Sequence, residues 1–158
     1  MPKSSFKLFF SIAICQAAGL IGTIFTVSSI QNWYKLLNQP SFQPPNWLFG
    51  PVWTILYTFM GISLYWIWIK GTKKKEVSQA IILFFIHLAL NSSWSVIFFG
   101  IHNIFLALIN IVVLWIFIVI VMVKFYKIDK KASYILIPYI VSVSFATVLN
   151  YNILLMNK

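Results

Sequence analysis

WYKLLNQPSFQPPNWLFGPVWTILYTFMGISLYWIW, residues 33–68, begins as a polar, proline-rich segment and turns at Pro51 into an apolar run long enough to enter a membrane. Five of the seven tryptophans lie in it (Trp33, Trp47, Trp53, Trp66, Trp68), with Tyr34, Tyr57 and Tyr65 among them. Aromatic rings combine large apolar area with a polar tip, so they gather at membrane–water boundaries and around flat apolar ligands. Two readings follow: a stiff loop folded over the mouth of a helical bundle, or a plain interfacial aromatic belt.

Outward from this stretch the chain is almost all membrane. It has 158 residues, 61% hydrophobic and 9% charged, with a mean hydropathy of +0.90. That leaves too little polar surface to coat a soluble globule. Five apolar stretches reach the roughly 20 residues that a spanning helix needs: about 8–29, 51–69, 79–99, 104–126 and 133–156. The fold class is therefore an all-α integral membrane bundle of five transmembrane helices, with no repeat or second domain. The first stretch follows Lys3 and Lys7 as a signal peptide would, but it outruns a typical signal core. It also carries Gln16, Thr23 and Thr26, polar groups of the kind that line a bundle. Ala18 and Gly22 form a small-xxx-small pair that lets a neighbouring helix come close.

Proline and charge punctuate the rest. Pro40, Pro44 and Pro45 stiffen the first loop, and Pro51 sits where the second helix should start. Pro138 falls within the fifth apolar stretch and should kink it, freeing the carbonyl of Tyr134. The net charge of +10 comes from lysine alone. Such a balance invites a nucleic-acid reading, but the lysines sit in short loops between apolar runs and are a topology signal instead. Ten of the twelve fall on one side (Lys3, Lys7, Lys70, Lys73, Lys74, Lys75, Lys124, Lys127, Lys130, Lys131), leaving Lys35 and Lys158 on the other. By the positive-inside rule the N-terminus is cytoplasmic, and the Trp33–Gly50 loop and the C-terminus are outside. Lysine without arginine fits an AT-rich bacterial genome better than an animal one, and so a bacterial cell membrane.

Conventional catalytic machinery is missing. Glu76 and Asp129, the only acidic residues, lie in the lysine-rich loops, which argues against an intramembrane carboxylate relay and against paired-carboxylate hydrolysis. No Cys/His cluster has metal-site spacing, and Cys15 is alone in an apolar run. Neutral polar groups among aromatics remain. His87, Asn91, Trp94 and Phe98 are spaced to share a helix face, with Ser95 beside it. Ser142, Ala146, Leu149 and Asn150 form a similar stripe, and Trp53, Tyr57, Met60, Gly61, Leu64 and Trp68 another. Each polar residue alone reads as interhelical hydrogen bonding. Together with the aromatic loop they suggest a mostly apolar pocket with a few orienting groups. His87, the one ionisable side chain deep in a span, is expected to be neutral and hydrogen-bonded rather than a ligand of haem-type iron.

WYKLLNQPSFQPP followed by NWLFGPVWTILYTFMG resembles the signature of the TspO/MBR family, the tryptophan-rich sensory proteins of bacteria and the mitochondrial translocator protein. LALNSSWSVIFFG (88–100) and IPYIVSVSFATVLNY (137–151) resemble its third- and fifth-helix motifs, in the same order, so the likeness covers nearly the whole of 1–158. It implies a five-helix bundle with the first loop closing a pocket, and ligands such as protoporphyrin IX and haem. Carried over by motif, the ligand-binding residues are Trp33, Tyr34, Pro44, Trp53, Tyr57, Asn91, Trp94, Ser95, Ala146 and Leu149; Ser142 lies where many members have a tryptophan facing the ligand. The resemblance implies a receptor or carrier with no required cofactor, partnered by membrane lipid and porphyrin-type small molecules and not by nucleic acid. Light-dependent porphyrin degradation is one alternative, weakened by the missing ring at Ser142, and a scaffold without a small-molecule ligand is another. Phe42, Leu106 and His87 also depart from the family pattern. A homodimer is admitted by the resemblance, although glycines that some members use for dimer packing correspond to Ile82 and Ile86.

Overall fold

The computed structural model describes residues 3–158. Its helices are α1 (Lys3–Asn32), α2 (Phe49–Trp68), α3 (Lys75–Ser95), α4 (Ile104–Ile128), α5 (Lys130–Tyr134) and α6 (Ile137–Met156), and the described residues contain no strand. Five helical spans are long and apolar enough to cross a membrane, α5 and α6 together making the fifth. This is an all-α integral membrane bundle. The spans outrun the apolar stretches because backbone hydrogen bonding continues beyond the hydrocarbon. At 30 residues, α1 is roughly 45 Å long against a hydrocarbon core of about 30 Å.

Small residues set how closely the helices approach. A Cβ on Gly61 of α2 would lie 2.5 Å from the Cα of Ile12, so the backbones of α1 and α2 nearly touch. The Ala18–Gly22 pair meets α3: the Ser92 hydroxyl donates to the Ala18 carbonyl at 3.1 Å, and Gly22 lies directly beneath Ser95. Beyond α3 the bundle continues through α4 to α6, and Phe84 stacks on Phe125 at 5.8 Å across the α3–α4 seam. At the lysine-rich end, Lys70 pairs with Asp129 at 2.7 Å and ties the loop after α2 to the one after α4. The Asp129 carboxylate also accepts from the Lys131 N–H at 2.9 Å, capping α5. Its pKa is held below the ordinary carboxylate value chiefly by the hydrogen bond from Lys70.

Three local features differ from the expected pattern. A 3₁₀ turn, Asn46–Leu48, precedes α2, so Pro51 is the third helical residue rather than the first. Its missing N–H still costs nothing, because the first-turn N–H groups have no intrahelical carbonyl. Near Pro138 the fifth span is interrupted rather than kinked: α5 ends at Tyr134, Ile135 and Leu136 form a turn, and Pro138 stands in the first turn of α6. The Ser63 hydroxyl donates to the Ala132 carbonyl at 2.6 Å, so α2 supplies a partner for this short segment. The third span closes in a π-helical turn, Val96–Gly100, with the Ile101 N–H donating to the Val96 carbonyl at 2.9 Å. His102 follows in left-handed conformation (φ 60°), and the Asn103 side chain accepts from the Leu106 N–H at 2.9 Å to start α4.

Candidate ligand cavity

A cavity of about 540 Å³ lies among α1, α2, α3 and α6, roofed by the first loop. Its size falls in the usual range for small-molecule sites. Its walls draw on two clusters of the core, the larger one and a smaller one of Tyr34, Phe98, Phe99, Ala107, Leu149 and Ile153, with Trp94 packed against both.

The walls follow from helix periodicity. On α2, Gly50, Trp53, Thr54 and Tyr57 occupy one face; Asn91, Trp94 and Ser95 of α3 do the same, continued by Phe98 in the π-helical turn. Trp94 stacks on Phe98 at 5.2 Å, while Trp53 leans on Tyr57 at 5.9 Å and meets Tyr139 edge-on at 6.4 Å. Behind these rings runs a buried polar chain. The Tyr57 hydroxyl donates to Asn91 Oδ1 at 2.5 Å, and Asn91 Nδ2 donates to the Tyr139 hydroxyl at 3.0 Å. Trp94 Nε1 donates to Asn150 Oδ1 at 3.1 Å, and Asn150 in turn donates to the Ile104 carbonyl at 3.1 Å. These bonds satisfy amides that would otherwise be costly in a lipid-surrounded core.

The roof is held at both ends. Tyr34 is buried between Phe98 and Phe99, with centroids at 6.0 and 5.5 Å, and its carbonyl accepts from Gln39 Nε2 at 2.7 Å. Burial pushes the Tyr34 phenol up to about 12. Trp33 stacks on His102 at 4.3 Å and 15°, and His102 Nε2 lies 3.1 Å from the Ser29 hydroxyl. Further along, Asn38 is bonded to Asn157, and Phe42 meets Phe145 of α6 edge-on at 6.2 Å.

Of the residues singled out in the sequence, Tyr34, Trp53, Tyr57, Asn91, Trp94, Ser95, Ala146 and Leu149 line this cavity, as do Gln16, Thr23 and Thr26. Trp33, Pro44 and Ser142 are outside its lining. Trp33 is turned toward His102, Pro44 is half-buried in the loop, and α6 faces the cavity through Val143 and Ala146, which rotates Ser142 away. His87 is also outside it, buried against Phe84 and Tyr139 with Nδ1 bonded to the Phe84 carbonyl. Residues not anticipated include Thr54, Phe99, Ile111 and Leu114. Thr54 could have been found one turn below Gly50, whereas α4 has Asn110 as the one polar residue in its apolar length, too little to mark a face. Among the described residues, no lysine, histidine, aspartate or glutamate lines the cavity.

The sequence matches the TspO/MBR family profile over residues 11–156. It is 45% identical to the tryptophan-rich protein TspO of Chlorobaculum tepidum over 157 residues, 99% of each chain. Against the tryptophan-rich protein TspO of Archaeoglobus fulgidus the identity is 42% over 151 residues, 96% of this chain and 97% of the other. Against the translocator protein of Homo sapiens it is 35% over 133 residues, 83% of this chain and 78% of the other.

Proposed function

This chain belongs to the TspO/MBR family of integral membrane proteins, and from that premise we propose that it is a receptor or carrier for porphyrins, protoporphyrin IX and haem among them, and for similar flat apolar molecules. The observation that carries the proposal is the cavity of about 540 Å³ walled by Trp53, Tyr57, Trp94 and Phe98. Two of its indoles come from different helices and offer ring faces for stacking, while Asn91 and Ser95 supply polar groups on one wall. Tyr34 is the loop residue that closes the roof, and Ala146 and Leu149 form the apolar wall opposite. In this reading the porphyrin is ligand rather than resident cofactor, and bilayer lipid is the surrounding partner. The protein sits in a bacterial cell membrane with its N-terminus cytoplasmic and the first loop outside, an orientation supported by the ten-to-two division of lysines.

The names of the relatives, a tryptophan-rich sensory protein of Cereibacter sphaeroides and translocator proteins of mammals, fit sensing or carriage of a small molecule. The test is a titration of purified protein with protoporphyrin IX, following quenching of tryptophan emission. Saturable quenching that Trp94→Leu weakens supports the proposal; no saturable binding sinks it. Loss of the porphyrin Soret band in illuminated but not dark samples would move the assignment to porphyrin degradation.

A further inference from the structure

The lysine-rich end of the bundle carries free cations beside exposed rings. Lys73, Lys74 and Lys75 follow α2, and Lys124, Lys127, Lys130 and Lys131 surround the α4–α5 turn, all of them exposed. The only acidic residues of the chain, Glu76 and Asp129, lie among them. Asp129 is already engaged by Lys70 and by the Lys131 N–H, and Lys70–Asp129 is the one ion pair among the described residues. The other cations at the α4–α5 turn pair with no protein anion.

The same corner presents an interfacial surface. Tyr126 of α4 and Tyr134 of α5 are 43% and 54% exposed and pack edge-on at 5.9 Å. Lys130 Nζ stands 5.4 Å from the centre of the Tyr126 ring, which holds its charge at the edge of the bundle beside the rings. Toward the middle of the bundle, Val123 lies three residues before Tyr126 on α4, and Ile137 three after Tyr134 at the start of α6; both are exposed. Cations above tyrosine rings above aliphatic side chains match the order of phosphate, glycerol and acyl chain in a phospholipid. Orientation by charge needs only the excess of lysine, not a lysine laid over an exposed pair of rings.

We infer that this corner seats an anionic phospholipid of the leaflet at that end. Its phosphate lies against Lys127 and Lys130, its glycerol region against Tyr126 and Tyr134, and its chains along Val123 and Ile137. A zwitterionic lipid fits the rings and aliphatic residues equally well, but its phosphate is already neutralised by its own choline. The lysines therefore favour the anionic headgroup. Nothing in this inference depends on what the cavity binds.

The test titrates the full-length protein in neutral detergent micelles at low salt, with phosphatidylglycerol and phosphatidylcholine of identical acyl chains, and follows bound lipid by native mass spectrometry. Phosphatidylglycerol should bind at least about tenfold more tightly, given two lysines against one headgroup. Lys127→Gln with Lys130→Gln should bring the two lipids within about twofold of each other. Lys73→Gln with Lys74→Gln removes the same charge from the α2–α3 loop and should leave the preference within about twofold of the parent's. Tyr126→Leu alters no charge but takes away the ring beneath Lys130, and should weaken phosphatidylglycerol binding about threefold. Equal binding of the two lipids by the parent, equal loss in both double variants, or an unchanged preference in Tyr126→Leu overturns the inference. Inorganic phosphate competing as well as a short-chain phosphatidylglycerol would assign the lysines to a free anion and overturn it too.

Discussion

Asn157 holds Asn38 by two opposed hydrogen bonds: its Oδ1 accepts from the Asn38 N–H at 2.9 Å and its Nδ2 donates to the Asn38 carbonyl at 2.9 Å. Asn38 Nδ2 adds a third bond, to the Met156 carbonyl at 3.1 Å. The first loop is thereby clasped to the end of α6, in addition to the aromatic packing of Tyr34 beneath it. Asn157→Ala removes two of the three bonds, each contributing about 0.5–1.5 kcal/mol net. Amide exchange should accelerate about tenfold in residues 36–43 and stay unchanged in α3. If the roof gates the cavity, bound ligand should also leave faster.

The close approach of α1 and α2 depends on Gly61. Alanine has the better helix propensity by about 1 kcal/mol, but here its methyl would sit 2.5 Å from the Ile12 Cα, and backbone cannot swing aside as a side-chain tip can. Overpacking of this kind costs about 1–3 kcal/mol, so Gly61→Ala should lower the melting temperature in detergent. Gly50→Ala is the control, since nothing lies within 4 Å of the added carbon. It should melt at or above the parent.

The Lys70–Asp129 pair has a defined pH window. Because Asp129 titrates lower when folded than when unfolded, its stabilisation is complete above the ordinary carboxylate value near 4 and is lost as pH falls through the depressed value. Melting should therefore show no pH dependence from this pair between pH 7 and 5, where it contributes in full, and a decline below about 4 that Asp129→Asn lacks. Asparagine caps a helix about as well as aspartate, so this variant isolates the ion pair, about 0–1 kcal/mol at a solvent-facing site. Asp129→Ala should cost about 1 kcal/mol more by losing the cap of α5 as well.

How much of this could be read in the sequence varies from element to element. The five spans were legible because each is a predominantly apolar stretch of about 20 residues, and Asn91, Trp94 and Ser95 because helix three mixes polar and apolar positions. Trp53 and Tyr57, four apart, mark the α2 wall in the same way. The break at Ile135–Leu136 was half legible: Pro138 announces a disturbance, but whether the helix bends or stops depends on partners such as Ser63. Ser142 illustrates a different limit. It shares a face with Ala146 by spacing, yet the cavity-facing edge of α6 runs through Val143, a rotation set by packing on α4. Long-range bonds such as Asn38–Asn157 leave no periodic trace at all.

Orientation is open to a direct measurement. Leu36, 77% exposed in the first loop, and Thr72, exposed in the lysine-rich loop after α2, stand at opposite ends of the bundle. With Cys15 replaced by alanine, Leu36→Cys should react with a membrane-impermeant maleimide in intact cells, and Thr72→Cys only after lysis. The reverse pattern would invert the proposed topology.

The buried chain Tyr57–Asn91–Tyr139 permits the sharpest test of the cavity wall. Tyr57→Phe keeps the ring and removes only the hydroxyl, leaving Asn91 Oδ1 buried without the donor it has at 2.5 Å. An orphaned buried acceptor costs about 1–3 kcal/mol, whereas removing both partners can approach neutrality. Tyr57→Phe should therefore destabilise by that amount. Asn91→Leu should do so too, because it strands the hydroxyls of both Tyr57 and Tyr139. The double variant should be less destabilised than the sum of the singles, with a coupling of about 0.5–3 kcal/mol. Thermal denaturation of the four proteins in one detergent gives the cycle. Strict additivity would mean that the hydroxyl and the amide are satisfied separately, and that Tyr57 serves the wall through its ring alone.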